Sequence, residues 1–67
     1  DLEAAEKVLQ DAAQAFPAQG VVFNNLAQVL MDQGRKDEAL HAARRAVALG
    51  GPLKAQFEAT LEEIRSR

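Results

Sequence analysis

The chain has 67 residues, of which 48% are hydrophobic and 27% charged, with a net charge of −2 and no cysteine. This balance is typical of a small folded domain; it excludes a disordered segment, a disulfide framework and a thiolate metal site. The weak negative charge disfavours nucleic-acid binding, and no apolar run approaches the roughly 18–20 residues of a membrane span. No segment alternates with the two-residue period of a strand, so helices are expected throughout.

The first predicted helix follows Asp1, a residue type that caps helix N-termini. Apolar residues then recur at helical spacing. Pro17 disfavours helical geometry at the residue before it, so the helix is expected to cover about residues 2–15. This helix carries apolar residues on more than one side, including Leu2, Ala4, Val8 and Ala15.

The second predicted helix covers about residues 20–33, and Gly34 is placed to close it in the left-handed conformation. Its inward residues are expected to be Val22, Phe23, Leu26, Ala27, Val29 and Leu30. The third helix is predicted to start near Arg35 or Lys36 and to stop at Gly50-Gly51. Its apolar side consists largely of alanine, which favours close approach of a neighbouring helix.

The fourth helix is expected to begin at Pro52, because proline suits the first helical position. Glu63 and Arg67 are spaced for an ion pair between adjacent helical turns. The apolar set of this helix is Phe57, Leu61 and Ile64. Since the connections between helices are short, successive helices are predicted to run antiparallel.

One pattern of large and small residues extends over the second and third helices and recurs in part upstream. It comprises Phe23, Leu26, Ala27, Leu30, Gly34, Ala39, Ala46 and Pro52. The upstream part comprises Ala5, Leu9, Ala12 and Pro17. A pattern that recurs at about 34 residues marks a helical repeat array, and this one resembles the tetratricopeptide repeat.

The resemblance covers nearly the whole chain. Residues 20–51 match one full repeat, residues 1–19 resemble the second helix of a preceding repeat, and residues 52–67 resemble a capping helix or the first helix of a next repeat. The implied fold is all-α, with antiparallel helix-turn-helix repeats stacked as a right-handed α–α superhelix of four helices. The chain is therefore expected to be a piece of a longer array. Ala43 departs from the family, which often has a large aromatic there; this predicts closer helix contact or a shallow gap.

In this family the concave surface comes mainly from the first helix of each repeat. The resemblance therefore implies that a peptide or protein segment binds to Val21, Asn24, Asn25, Gln28, Met31 and Asp32. Amide side chains donate and accept hydrogen bonds, which suits them to a peptide backbone, although they could equally form a solvated helix face. One subtype grips a C-terminal carboxylate with cations. Here Thr60 and Glu63 stand in their place, so no carboxylate clamp is expected.

No combination of residues predicts catalysis or a metal site, and no cofactor is expected. His41 has Asp37 four residues before it and Arg45 four after it. Asp37 and Glu38 supply too few further ligands for a metal site, and the only serine, a possible nucleophile, is Ser66 near the chain end. A surface residue that pairs weakly with Asp37 is the expected role of His41. Arg44 and Arg45 lack neighbours that would extend a phosphate-binding patch.

The sequence thus predicts a non-catalytic protein–protein interaction scaffold that neither binds nucleic acid nor inserts into a membrane. One alternative is a regulatory or docking module of a larger enzyme, which sequence upstream of Asp1 would decide. The other is self-association through the open first helix into a homo-oligomer. A few hundred Å² of bare apolar surface costs several kcal/mol at about 25 cal/mol per Å², so upstream repeats or a second copy would cover this helix. The partner and the compartment are left open.

Overall fold

The computed structural model describes all 67 residues and contains four α-helices and no strand. The helices are α1 (Leu2–Ala15), α2 (Gly20–Asp32), α3 (Lys36–Leu49) and α4 (Lys54–Ser66). The prediction of an all-helical chain is confirmed. None of the helices combines the length and apolar character needed to cross a membrane.

The ends of α1 and α2 follow local signals in the sequence. The Asp1 carboxylate caps α1, where its Oδ1 accepts from the Ala4 N–H at 2.7 Å. Gly34 ends α2 with a φ of 77°. Its N–H donates to the carbonyl of Met31 at 2.9 Å, and the Arg35 N–H donates to that of Leu30 at 3.0 Å. This pair of bonds is the Schellman motif, in which glycine adopts the left-handed conformation at little steric cost.

The start of α4 differs from the prediction. Pro52 and Leu53 form a turn, and the helix begins at Lys54. Gly50 and Gly51 precede the turn with φ values of 68° and 89°, and the Lys54 N–H donates to the Gly51 carbonyl at 3.1 Å. Because this turn includes Pro52, the proline precedes the helix instead of occupying its first position.

The helix α2 lies at the centre of the molecule, where it packs against α1, α3 and α4. Gln33, just after α2, bonds to the Leu2 carbonyl at the start of α1. Lys36 at the start of α3 bonds to the carbonyl of Arg67, just after α4. Helices adjacent in sequence therefore run antiparallel. The backbones of α1 and α4 do not approach each other, so the arrangement is an open one and not a closed four-helix bundle.

Small side chains bring the central helices together. Four alanines have no exposed surface: Ala27, Ala39, Ala43 and Ala46. The larger buried residues are Leu26, Leu30, Phe57 and Ile64. The complete burial of Ala43 agrees with close helix contact, the first of the two expectations for this position.

The helix α1 contributes no fully buried residue. Leu9 packs against the core, but Val8 is 66% exposed and Phe16 57%. Leu2, Ala4 and Ala15 are exposed as well. One apolar side of α1 is therefore uncovered in this chain, as the sequence predicts.

Candidate functional site

The six residues predicted to bind a partner lie on one side of α2, which we call the outer face. Helical periodicity directs this side away from Leu26 and Leu30, which lie in the core. Four of its residues are exposed: Val21, Asn25, Gln28 and Asp32. The other two, Asn24 and Met31, are partly buried.

The outer face meets α4 at the C-terminal end of α2. A shallow pocket of about 230 Å³ lies between the two helices. It is lined by Gln28, Met31, Asp32, Thr60, Glu63, Ile64 and Arg67. Three of the six predicted residues thus share a pocket with α4, whereas Val21, Asn24 and Asn25 lie outside it.

The charges of this pocket are unevenly paired. The Arg67 guanidinium donates to Glu63 with an Nη2–Oε1 distance of 2.6 Å, as the spacing of these residues predicts. The Asp32 carboxylate has no ion pair or hydrogen bond within the protein. The Asp32 carboxylate and the Gln28 amide oxygen can therefore accept hydrogen bonds, and the carboxylate attracts cations.

Asn24 holds the one buried side-chain polar atom that has no hydrogen-bond partner, its Oδ1. A buried acceptor left unpaired costs about 1–3 kcal/mol. Asn24 therefore differs from the freely solvated amides beside it, because its carbonyl oxygen gains stability from any donor that reaches it.

A larger cavity of about 650 Å³ lies on the opposite side of α2, between α1 and α3. We call it the α1–α3 groove. Phe23, Leu26 and Leu30 of α2 form its floor. Its walls include Gln10, Ala13 and Gln14 of α1, and Asp37, His41, Ala42 and Arg45 of α3. The sequence pattern assigned the floor residues to the core and did not predict a groove above them.

One end of the α1–α3 groove is closed by a cluster of polar side chains. Arg35 Nη1 donates to Glu6 Oε1 at 2.7 Å, and Gln33 Nε2 donates to the same oxygen at 3.0 Å. These bonds from Gln33 and Arg35 lower the pKa of the Glu6 carboxyl. Arg35 also bonds to Glu38 at 2.5 Å, and Glu38 followed by Glu6 raises the pKa of the guanidinium. The charged forms of Glu6 and Arg35 are therefore stabilised in the folded protein.

The other end of the groove is bordered by Arg45 and Phe23. The guanidinium carbon of Arg45 lies 5.4 Å from the centroid of the Phe23 ring, within the range of a cation–π contact. His41 lies between this end and Asp37 but forms no hydrogen bond or ion pair with Asp37, so the weak pairing expected from their spacing is absent. No group of three or more histidine and acidic side chains is positioned to hold a metal ion.

No family model, curated protein or solved structure matches the chain.

Proposed function

We propose that this chain is a non-catalytic protein–protein interaction module of the tetratricopeptide-repeat type, which binds a peptide or protein segment on the outer face of α2. In this proposal residues 20–51 are one full repeat within a right-handed superhelix. Residues 1–19 belong to the preceding repeat, and residues 52–67 form a capping helix or begin the next repeat.

The packing of α2 supports this proposal. The start of α2 lies against Phe57 near the start of α4, and the end of α2 shares the pocket with Glu63 and Ile64 near the end of α4. These two helices are therefore parallel neighbours, while α1 and α3 lie on the other side of α2. In stacked helical hairpins, alternate helices line one extended surface, and α2 and α4 would be the two that do so here.

The pocket between α2 and α4 is the single observation on which the binding site depends. Gln28 supplies an amide that donates and accepts, Met31 supplies a flexible apolar contact, and Asp32 supplies an unpaired acceptor. This combination suits an extended segment that offers backbone N–H groups and a basic or apolar side chain. It does not suit a terminal carboxylate, because Arg67 is already paired with Glu63.

The test begins with a selection of peptides that bind the protein from a random library. The tightest-binding peptide is then titrated into the protein while the side-chain amide signals of Asn24, Asn25 and Gln28 are monitored by NMR. We expect these signals to shift and the Gln28→Ala variant to weaken binding about tenfold, a loss of one hydrogen bond. The control is Glu58→Ala, because Glu58 is an exposed residue of α4 that lines neither this pocket nor the α1–α3 groove. Amide signals that stay unchanged at saturation would reject this site.

Self-association is a second candidate function, favoured by the exposed apolar side of α1. Val8 is the most exposed of the large apolar residues, and Ala4 and Ala15 are exposed on the same side. A second copy that packs here would remove this surface from water. Light scattering at high concentration tests the idea: a dimer that becomes a monomer in the Val8→Glu variant supports it, and a wild-type monomer rejects it.

A further inference from the structure

The geometry points to a second docking surface: the α1–α3 groove takes a short amphipathic segment of a partner protein, with an apolar side chain on the floor, a cation toward Asp37 and an acid toward Arg45. This inference does not depend on the proposed function, because the groove and the outer face lie on opposite sides of α2. Two segments could occupy the two surfaces at once.

The floor of the groove is apolar and belongs to the rigid centre of the molecule. Leu26 and Leu30 are core residues that also face the cavity, and Phe23 beside them is only partly buried. A cavity of about 650 Å³ has room for more than one large side chain. Because the floor lies on α2, which packs against every other helix, it is formed before any ligand arrives. Preformed apolar sites bind without a further ordering cost to the protein.

The groove stays open because its two walls meet only at one end. The cluster of Glu6, Gln33 and Arg35 joins α1 to the start of α3. Beyond this cluster the backbones of α1 and α3 make no close approach. The side chains of Ala13 and Ala42 are too short to fill the space between the helices. An inserted side chain therefore displaces solvent and not protein.

The charges on the walls define the chemistry of the occupant. The α1 wall carries neutral amides, Gln10 and Gln14. The α3 wall carries Asp37 and Glu38 at the closed end, where Glu38 is paired with Arg35, and Arg45 at the open end. Asp37 and Arg45 have no ion-pair partner in the protein. They are eight residues apart on one helix, a rise of about 12 Å. A segment of about two helical turns with one cation and one acid at that separation complements both.

The charge separation also favours a protein segment over a small ligand. A small molecule that fills the apolar floor does not reach two opposite charges about 12 Å apart. A second copy of this chain is the other protein occupant. Its helices α3 and α4 each carry an acid and a cation eight residues apart, but neither helix exposes a large apolar side chain for the floor. Its helix α1 does expose Val8, but the charges Lys7 and Asp11 there are only one turn apart and are paired with each other at 3.1 Å.

The test compares peptides selected by two proteins from one random 12-residue display library. One is the Gln28→Trp variant, in which the outer face is blocked. The other carries in addition Asp37→Arg and Arg45→Asp, which exchange the wall charges at two exposed positions. We expect apolar peptides with one cation and one acid from the first protein, and the opposite order of charges from the second. A synthetic peptide from the first selection should bind at least tenfold more weakly to the exchanged protein.

Two further measurements locate the binding. The methyl signals of Leu26, Leu30 and Ala42 should shift on titration, and the Ala13→Trp variant, which fills the groove, should lose binding while its circular dichroism is unchanged. The inference is overturned if neither protein selects peptides, or if both select the same charges. It is equally overturned if the signals shift on the outer face instead, or if the protein sediments as a dimer whose partner copy protects the groove methyls.

Discussion

The Arg35 guanidinium donates to the Glu6 carboxylate at 2.7 Å, and this contact joins α1 to the start of α3 although the two residues are 29 positions apart. The Glu6 side chain is only 14% exposed, because Gln33 and Arg35 lie over it. The same contact closes one end of the α1–α3 groove. The position of α1 relative to α3 therefore depends on a carboxylate and not on apolar packing alone.

Replacing Glu6 with glutamine should lower the free energy of unfolding near neutral pH and have little effect in acid. Its pKa is lowered in the folded protein, mainly by the bond from Gln33 and then by Arg35, from an ordinary value of 4.5. Its contribution is therefore complete above that value and is lost as the pH falls through the lower folded value. Urea unfolding at pH 7 and pH 3 measures the difference between Glu6→Gln and wild type.

The control for this prediction is Glu58→Gln on α4, because Glu58 is exposed, lies beyond the first turn of its helix and has no hydrogen bond or ion pair. It should match wild type at both pH values. A stability difference for Glu6→Gln that is the same at pH 3 and pH 7 would contradict a role for the ionised carboxylate.

Gly20→Ala should destabilise the protein even though alanine favours helices. An added Cβ would lie 2.6 Å from Cε2 of Phe57 and 3.3 Å from the carbonyl oxygen of Ala46. The ring of Phe57 is 3% exposed and has little room to move. Overpacking costs about 1–3 kcal/mol, against a gain of up to about 1 kcal/mol in helix propensity. Chemical denaturation should show a net loss of about 1 kcal/mol.

A double-mutant cycle isolates the cause of that loss. In the presence of Phe57→Leu, which removes the ring, Gly20→Ala should cost less than it does in wild type. If Gly20→Ala alone were more stable than wild type, the Phe57 ring would have to move away from the added Cβ at little cost, contrary to the prediction.

Ala43→Leu should destabilise the protein by about 1–3 kcal/mol, because Ala43 has no exposed surface and a larger side chain must push neighbouring core residues apart. Ala48→Leu on the same helix is the matched control, since Ala48 is exposed and its replacement should change stability by no more than about 0.5 kcal/mol. Thermal unfolding of both variants checks the prediction. Equal effects would mean that Ala43 borders unfilled space.

Gly34→Ala should cost about 1–2 kcal/mol for a reason that involves no packing at all. A Cβ at Gly34 would meet nothing within 4 Å, but its φ of 77° lies in the left-handed region. Gly34→Asn should cost less than Gly34→Ala, because asparagine tolerates this conformation better than other side chains. The order of the two variants in urea unfolding is the measurement, and equal losses would contradict a backbone origin.

The positions of the helices could be predicted from short-range signals in the sequence. Asp1, Pro17 and Gly34 each act on neighbouring backbone groups, so their effects do not depend on the rest of the fold. The exception is Pro52, where the conformation of Gly50 and Gly51 delays the helix. Helical periodicity likewise determined that the six residues of the outer face share one side of α2, and that α1 has an apolar side that no other helix covers.

The tertiary structure alone decided which residues from different helices meet. The contact of Glu6 with Gln33 and Arg35, and the groove above Phe23, involve residues distant in sequence. Spacing along a helix determines which side a residue occupies, but the distance between two helices depends on the side chains at their contact. The alanines between α2 and α3 allow close packing, whereas the long polar side chains of Glu6, Gln33 and Arg35 join α1 to the start of α3. That difference in side-chain length separates a closed core from an open groove.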